Sequence, residues 1–545
     1  MNTVLWSATR IDRIRRSAAL MEVLVCLALP CAVGCGTDPG PVDAGAGNDA
    51  GAGRDAGAGR DATSIMDSGP TPDGGAHTDA GAADSESTPE APRIVEPPHS
   101  LSVGEGDVAL FTVTAAGTAP LTYQWERGQV PVPGAVNATY ALTATLTDDG
   151  AVFRVTVSNA IGSVTSTTAT LHVTRRLRVV PSVAGGGSHS MVLKDDGTVW
   201  AWGGNRYGQI GDGGGSDIAV PTQIPGLTSI VRIAAGRNHN LALRSDGTAW
   251  SWGGNSYGEL GHGDTTATST PGQVRNLSGI VLIAAGADFS LAATDDGRVY
   301  AWGHNHLGQL GDGTNDDSAV PVFAPMVSGV CPMLPVCPSV RTRLIAAGTA
   351  HALAQESDDF CWAWGTNVFG QFGRGGTGSS NTPVQVSPLV GHALKQIAAG
   401  NEFSLAIEED DSIVSFGRAS SVLGLGSPPG IDTTVPQTIT TITGVAQIAA
   451  GYDHALALKI DGTLWGWGRG DLGQVASARS SQDVPMEIAL PGALRIAAGE
   501  SHSLVLKQDG TVWTFGYDLN GQLGRGFTGT MYSRTPIEVQ GLRLF

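Results

Sequence analysis

Residues 233–261 read IAAGRNHNLALRSDGTAWSWGGNSYGELG, and this stretch decides the fold. Ile233–Gly236 is a short apolar run whose small side chains suit a crowded strand. Leu241-Ala242-Leu243 is a second strand. Asp246-Gly247 divides it from Trp250-Ser251-Trp252-Gly253, a hairpin signal in which Gly supplies a positive φ. Tyr257-Gly258-Glu259-Leu260-Gly261 redirects the backbone with two glycines. Pro271 follows on a strand expected at a sheet edge, where a missing N–H is tolerated. Four short strands in about 50 residues make one propeller blade.

The unit recurs. Its small-residue element ends at Gly186, Gly236, Gly286, Gly348, Gly400, Gly451 and Gly499, at spacings of 50, 50, 62, 52, 51 and 48 residues. One such sheet cannot bury its own flanks, so seven are expected to stack on one another. The Trp side chains are expected to fill the space between neighbours. Over residues 177–545 the pattern resembles the repeats of the regulator of chromosome condensation, which implies an all-β, seven-bladed β-propeller over 175–545. The chain stops at Phe545, just before another Ile-Ala-Ala-Gly element would begin, and Leu177–Gly186 supplies that piece. The two termini are therefore expected to share one blade and clasp the ring. The fifth unit departs most, with Val414 and Phe416 in place of the Trp pair and Gly424-Leu425-Gly426 in place of the Gly-Gln-Leu-Gly element. A looser blade is expected there.

Three segments precede the repeats. Arg10, Arg13, Arg15 and Arg16 lead into an apolar run from Ala18 to Gly34, interrupted by Glu22 and Pro30 and too short to span a membrane comfortably. Residues 1–35 thus read as a secretion signal. Ala32-Val33-Gly34-Cys35 resembles a bacterial lipobox, which implies acylation of Cys35 and an exported protein, held at the outer membrane or cell surface by its lipid or released. Residues 36–92 are rich in Asp, Ala and Gly and lack the large apolar groups needed to offset ordering entropy, so a disordered linker is expected. Residues 93–174 alternate as strands do, for example in Ala109–Val113, Leu121–Trp125 and Val152–Val157. This segment resembles an immunoglobulin-like β-sandwich, with Trp125 as its core Trp. Val113 and Val155 stand at the usual cysteine positions and Phe153 at the corner Tyr, which implies apolar packing without a disulfide. A spacer or adhesion module is expected.

Composition bounds the function. The chain of 545 residues holds 77 Gly, only 15% charged residues and a net charge of -18. Turn-rich β structure fits the first two figures. An acidic chain repels phosphate backbones, so nucleic acid is not an expected partner. The six cysteines contain no CxxC pair and no Cys/His cluster of zinc spacing. Cys331 and Cys337 lie in an insertion, residues 326–343, and are expected to bridge a small loop in an oxidising compartment, with Cys361 as a rival partner for either. Cys361 otherwise reads as a buried thiol.

His189, His239, His351, His454 and His502 recur at one repeat position. Each would sit on a different blade, so a shared metal is not expected, and each His should bond a nearby backbone group. Asp312–Asp317 is an acidic loop that lacks the register and closing Glu of an EF-hand. Asp246 and Gly247 are adjacent, unlike the Asp and Gly of a sialidase Asp-box. No nucleophile elbow, His-Glu-x-x-His or phosphate loop is present. No catalytic, cofactor or metal-ligating set is assigned. The expectation is a surface recognition protein whose propeller loops contact an extracellular or envelope protein or glycan. The alternatives are a glycan-active lyase or hydrolase, whose paired carboxylates would be spatial, and a guanine-nucleotide exchange regulator by analogy with the family.

Overall fold

The computed structural model describes residues 88–174, 177–326, 340–426, 431–529 and 531–545. Among them nearly all regular structure is β, and no helix is long and apolar enough to cross a membrane.

Residues 88–174 form a small unit of facing sheets. Its main sheet pairs Thr122–Arg127 with Val152–Ser158, this with Ala169–Thr174, and that in turn with Leu101–Gly104. Val108–Thr112 pairs with Thr139–Thr143 in a second layer. Trp125, Phe111, Phe153, Val113 and Val155 are buried in one core, and the rings of Phe111 and Phe153 lie 4.7 Å apart. Trp125 Nε1 donates to Asn137 O at 2.9 Å, which satisfies the indole in that core. The unit reaches back beyond Arg93. Pro92 is buried, and Glu90 N donates to Thr118 Oγ1 at 2.7 Å.

Residues 182–543 form seven four-stranded antiparallel sheets, each made of consecutive strands. In blade 2 the strands are A (Ile230–Ala235), B (His239–Arg244), C (Ala249–Gly253) and D (Thr268–Gln273). The same letters serve the other blades: blade 1 over 182–223, blade 3 over 280–324, blade 4 over 342–385, blade 5 over 394–438, blade 6 over 445–488 and blade 7 over 493–543. The B–C turn follows from the sequence. Asp246 Oδ1 accepts from Thr248 N at 2.9 Å and from Thr248 Oγ1 at 2.6 Å, while Gly247 takes φ +80°.

Seven apolar clusters hold the sheets together, one at each junction. The cluster between blades 1 and 2 joins Met191, Leu193 and Ile210 to Ala242 and Trp252. The closing cluster joins Leu504, Leu506 and Leu544 of the last sheet to Val183, Val192 and Trp202 of the first. The inner ends of all seven A strands line one narrow axial well of about 90 Å³. Around it the A–B turns form a ring of seven backbone hydrogen bonds. Gly187 N donates to Arg237 O at 3.0 Å, Arg237 N to Ala287 O at 3.0 Å, and so on round to Glu500 N, which donates to Gly186 O at 3.1 Å.

The expected clasp is corrected. Strand A of blade 1, Ser182–Gly185, pairs within its own sheet, and Tyr532–Arg543 pairs within the last. Among the described residues no sheet mixes the two ends of the propeller. Blade 1's A strand has four residues where the other six have six. Leu544 occupies the vacated base: it is buried, and its carbonyl accepts from Asp195 N at 3.0 Å. The C-terminus therefore contributes one residue to blade 1 rather than a strand.

The expected looseness of blade 5 is also corrected. Val414, Phe416 and Leu423 are all buried. A short 3-10 turn, Ser421–Leu423, directs Leu423 O to Ser415 Oγ at 2.7 Å and Val422 O to Trp467 Nε1 at 2.7 Å. The turn supplies the bonds that the missing Gly-Gln-Leu-Gly element would have made.

Candidate binding face

The A–B turns and the long C–D loops emerge at one end of the propeller, because strand C ends beside the A–B turn. Gly254 N donates to Asn238 O at 2.7 Å and His304 N to Asp288 O at 2.9 Å. Each C–D loop is pinned from within. Asn255 Oδ1 accepts from Leu260 N at 2.9 Å, and Asn205, Asn305 and Asn367 do the same in their blades. The loop is also pinned across the junction, as where Gly263 N donates to Ala319 O at 2.9 Å. Rigid loops on a braced scaffold suit recognition.

Two kinds of group decorate this face. Apolar side chains stand exposed on consecutive loops: Tyr207 is 43% exposed, Tyr257 36%, Leu307 49% and Val368 55%. Charged side chains surround the axial well and pair. Arg237 reaches Glu500 at 2.7 Å and Asp288 at 3.6 Å. Arg418 pairs with Glu402, and Arg469 with Asp471 at 2.7 Å and Asp453 at 3.8 Å. Burial raises the pKa of Asp453, an effect Arg469 opposes. Glu259 stands where most blades have Gln. Burial raises its pKa, and its Oε2 accepts from Tyr257 N at 2.8 Å, so it braces its loop.

The recurrent histidines lie deeper, and their partner differs from the one expected. His239 Nε2 meets Ser290 Oγ of the next blade at 3.0 Å. Ser290 donates its own proton to Glu259 O at 2.8 Å, so it can only accept from the imidazole. His351, His454 and His502 make the same bond to Ser404, Ser503 and Ser190, each at 2.9 Å, and His189 meets Asn240 Oδ1 at 2.6 Å. A side chain of the following blade thus relays each His to a loop carbonyl. Burial pushes the five imidazoles down to about 3 or 4, which keeps them neutral. They are cross-braces, distributed round the ring.

Cys35, Cys331 and Cys337 lie outside the described residues. Cys361 is buried on strand C of blade 4, and burial pushes its thiol up to about 12. Within the acidic loop Asp312 Oδ1 accepts from Thr314 N at 3.0 Å, and Asp317 Oδ1 from Asn305 N at 2.7 Å. A larger cavity, about 960 Å³, is lined by Asp149 and Val173 together with Asp295, Arg341, Lys395 and Glu409, a mixed set of charges. The exposed arc of Tyr207, Tyr257, Leu307 and Val368 escaped the sequence reading. Its signal was available, since these are large apolar groups at loop tips between glycines.

The ring of self-contained sheets defines a β-propeller whose exposed loops converge on one face. Comparison with known proteins gives the kind. An RCC1-like domain model matches residues 132–334, and regulator of chromosome condensation (RCC1) repeat models match 358–407, 445–474, 461–506 and 494–522. The chain carries an RCC1-like domain and RCC1 repeats. The first match begins inside the preceding unit, although the first blade starts at Ser182. The ultraviolet-B receptor UVR8 of Arabidopsis thaliana is 33% identical over 153 residues, covering 27% of this chain and 34% of that protein. The human E3 ubiquitin-protein ligase HERC2 is 34% identical over 136 residues, 24% of this chain and 3% of the ligase. The matches therefore span 34% and 3% of the length of these two relatives. Yeast RCC1 (Prp20), solved bound to Kap60, superposes with TM-score 0.56 at 23% identity over 67% of this chain and 85% of its own. Human WBSCR16 superposes with TM-score 0.53 at 24% identity, over 61% and 88%.

Proposed function

We propose that this protein is a protein-binding module that uses the loop face of its propeller. The observation that carries this reading is the arc of exposed apolar side chains, Tyr207, Tyr257, Leu307 and Val368, held on braced loops beside a rim of ion pairs. Exposed apolar groups bordered by charge are the usual make-up of a recognition patch. Related propellers support a protein partner: yeast RCC1 has been solved bound to Kap60. The carboxylates nearest the well are engaged by Arg237, Arg418 and Arg469, which favours recognition over acid–base chemistry on this face.

The proposal extends to the segments before the ring. Residues 1–35 direct export, Cys35 carries the lipid, the Asp/Ala/Gly-rich linker spaces the folded part from the membrane, and the immunoglobulin-like unit is a further spacer. The test of binding is a saturable interaction of the full chain with a protein from the envelope or medium. Tyr207→Ser with Tyr257→Ser should weaken it about tenfold or more while leaving the melting temperature unchanged. Equal affinity in the double variant would remove the loop face from the account. Loss of fatty-acid labelling in Cys35→Ser tests the anchor separately.

A further inference from the structure

Blade 3 breaks the repeat at one place. Where blades 1 and 2 carry Gly204-Asn205-Arg206 and Gly254-Asn255-Ser256, blade 3 carries His304-Asn305-His306. Strand C of blade 3 ends at Gly303, and the turn that follows brings the two imidazoles together. Asp317, from the far end of the same C–D loop, comes up beside them; blade 1 has Asp217 and blade 2 Ala267 at that position, so the pair of histidines is what sets blade 3 apart. One ligating atom from each of the three lies within 4.8 Å of the others. His306 Nδ1 is 3.4 Å from Asp317 Oδ1, and the two imidazole rings are 4.7 Å apart.

We propose that His304, His306 and Asp317 bind a divalent transition-metal ion of the zinc class. Zinc bonds of about 2.0–2.1 Å to nitrogen and oxygen place tetrahedral ligands roughly 3.3 Å apart, so small side-chain rotations suffice. Two imidazoles and one carboxylate are a borderline donor set, which selects Zn²⁺, Ni²⁺, Co²⁺ or Cu²⁺ over Ca²⁺ or Mg²⁺. The surroundings hold the donors in place. Tyr257 stacks on the His304 ring at 4.1 Å, Gln309 Nε2 lies 3.2 Å from His304 Nδ1 and would be displaced if that nitrogen ligates, and Asn305 N fixes the Asp317 carboxylate at 2.7 Å. Three protein ligands leave coordination positions open on an exposed loop.

The sequence reading assigned no metal ligands: it set aside a metal shared by the recurrent histidines and weighed an ion at Asp312–Asp317, the run that ends on one of these three residues. The test is calorimetric titration of the full chain with Zn²⁺ alone at neutral pH, and Co²⁺ absorption in the visible. The variants are His304→Gly, His306→Ser and Asp317→Ala, each inserting the residue that blade 2 carries at the same place. His392→Ala, which removes an exposed His paired with Glu408 at 2.9 Å, is the control. The expected result is one Zn²⁺ site with a ligand-field Co²⁺ spectrum, weakened about tenfold or more in each of the three variants and unchanged in the control. Metal-free melting temperatures should coincide. Wild-type affinity in His306→Ser and Asp317→Ala, or no site in the wild type, overturns the proposal.

Discussion

His239, Ser290 and the Glu259 carbonyl form the smallest unit of this architecture: an imidazole in one blade, a hydroxyl in the next, and a loop carbonyl. The exceptions obey the same rule. Where Phe289 and Phe403 replace His, the partners in the following blade are Ala352 and Ala455, in apolar contact. Polar faces polar and apolar faces apolar at every junction. His239→Phe alone should therefore destabilise, because Ser290 loses its donor, and adding Ser290→Ala should restore part of the loss. A coupling of about 1–2 kcal/mol in a double-mutant cycle, measured by denaturant unfolding, is expected; additive losses would contradict it. Acid is the second lever. The five imidazoles have folded pKa values of about 3 or 4 against an ordinary 6.5, so the unfolded chain binds more protons between these limits. Their stabilising contribution is complete above about pH 6.5 and falls as the pH drops, by about 2 kcal/mol for each His at pH 5. Melting temperature measured from pH 8 to pH 4.5 should decline steeply below pH 6.5, and less steeply in the His239→Phe, Ser290→Ala variant.

The C–D loop is the element that fastens one blade to the next. Its second glycine shows why the sequence repeats so closely. A Cβ on Gly261 would lie 2.9 Å from Trp302 Nε1 of the following blade, and the residue takes φ +71°. The indole needs that approach, because Trp302 Nε1 donates to Glu259 O at 2.9 Å; Trp252, Trp364 and Trp202 do the same to Gln209, Gln309 and Gln522. Gly261→Ala should cost about 2–3 kcal/mol through strain and the displaced indole. Gly378→Ala, at an exposed loop glycine where an added Cβ would meet nothing within 4 Å, should be near neutral, and equal melting temperatures for the two would contradict the account. The strands, the Asp-Gly turn and the edge Pro were legible because each rests on local chemistry. Blade 5 was misjudged because a 3-10 turn at Ser421–Leu423 can supply the same carbonyls without the motif. The His304–His306–Asp317 group and the apolar arc needed the units compared position by position for their departures, whereas the reading followed what they share.

At the scale of the molecule, the unit count and the ring follow from the repeat, but the manner of closure does not. Whether the two ends share a strand depends on strand pairing in space, which the repeat pattern does not specify. Here Leu544 fills the base of a shortened A strand, and the seventh junction otherwise repeats the others, with Trp202 on Gln522 O, His502 on Ser190 and Glu500 N on Gly186 O. The acidic charge of -18 and the braced loops belong to the same scale, since a closed ring packs the faces of its blades on one another and leaves the loops at its two ends and the short outer D-strand edges exposed. The central claim is that the first and last blades are joined as firmly as any other pair. Hydrogen–deuterium exchange of the full chain, followed by mass spectrometry, tests it directly. Strand B of blade 1, His189–Leu193, and strand B of blade 7, His502–Lys507, should be protected to the same degree as His239–Arg244 and should lose protection together with it on unfolding. Fast exchange confined to blades 1 and 7, with the inner five protected, would mean that the ring is open and would contradict the account.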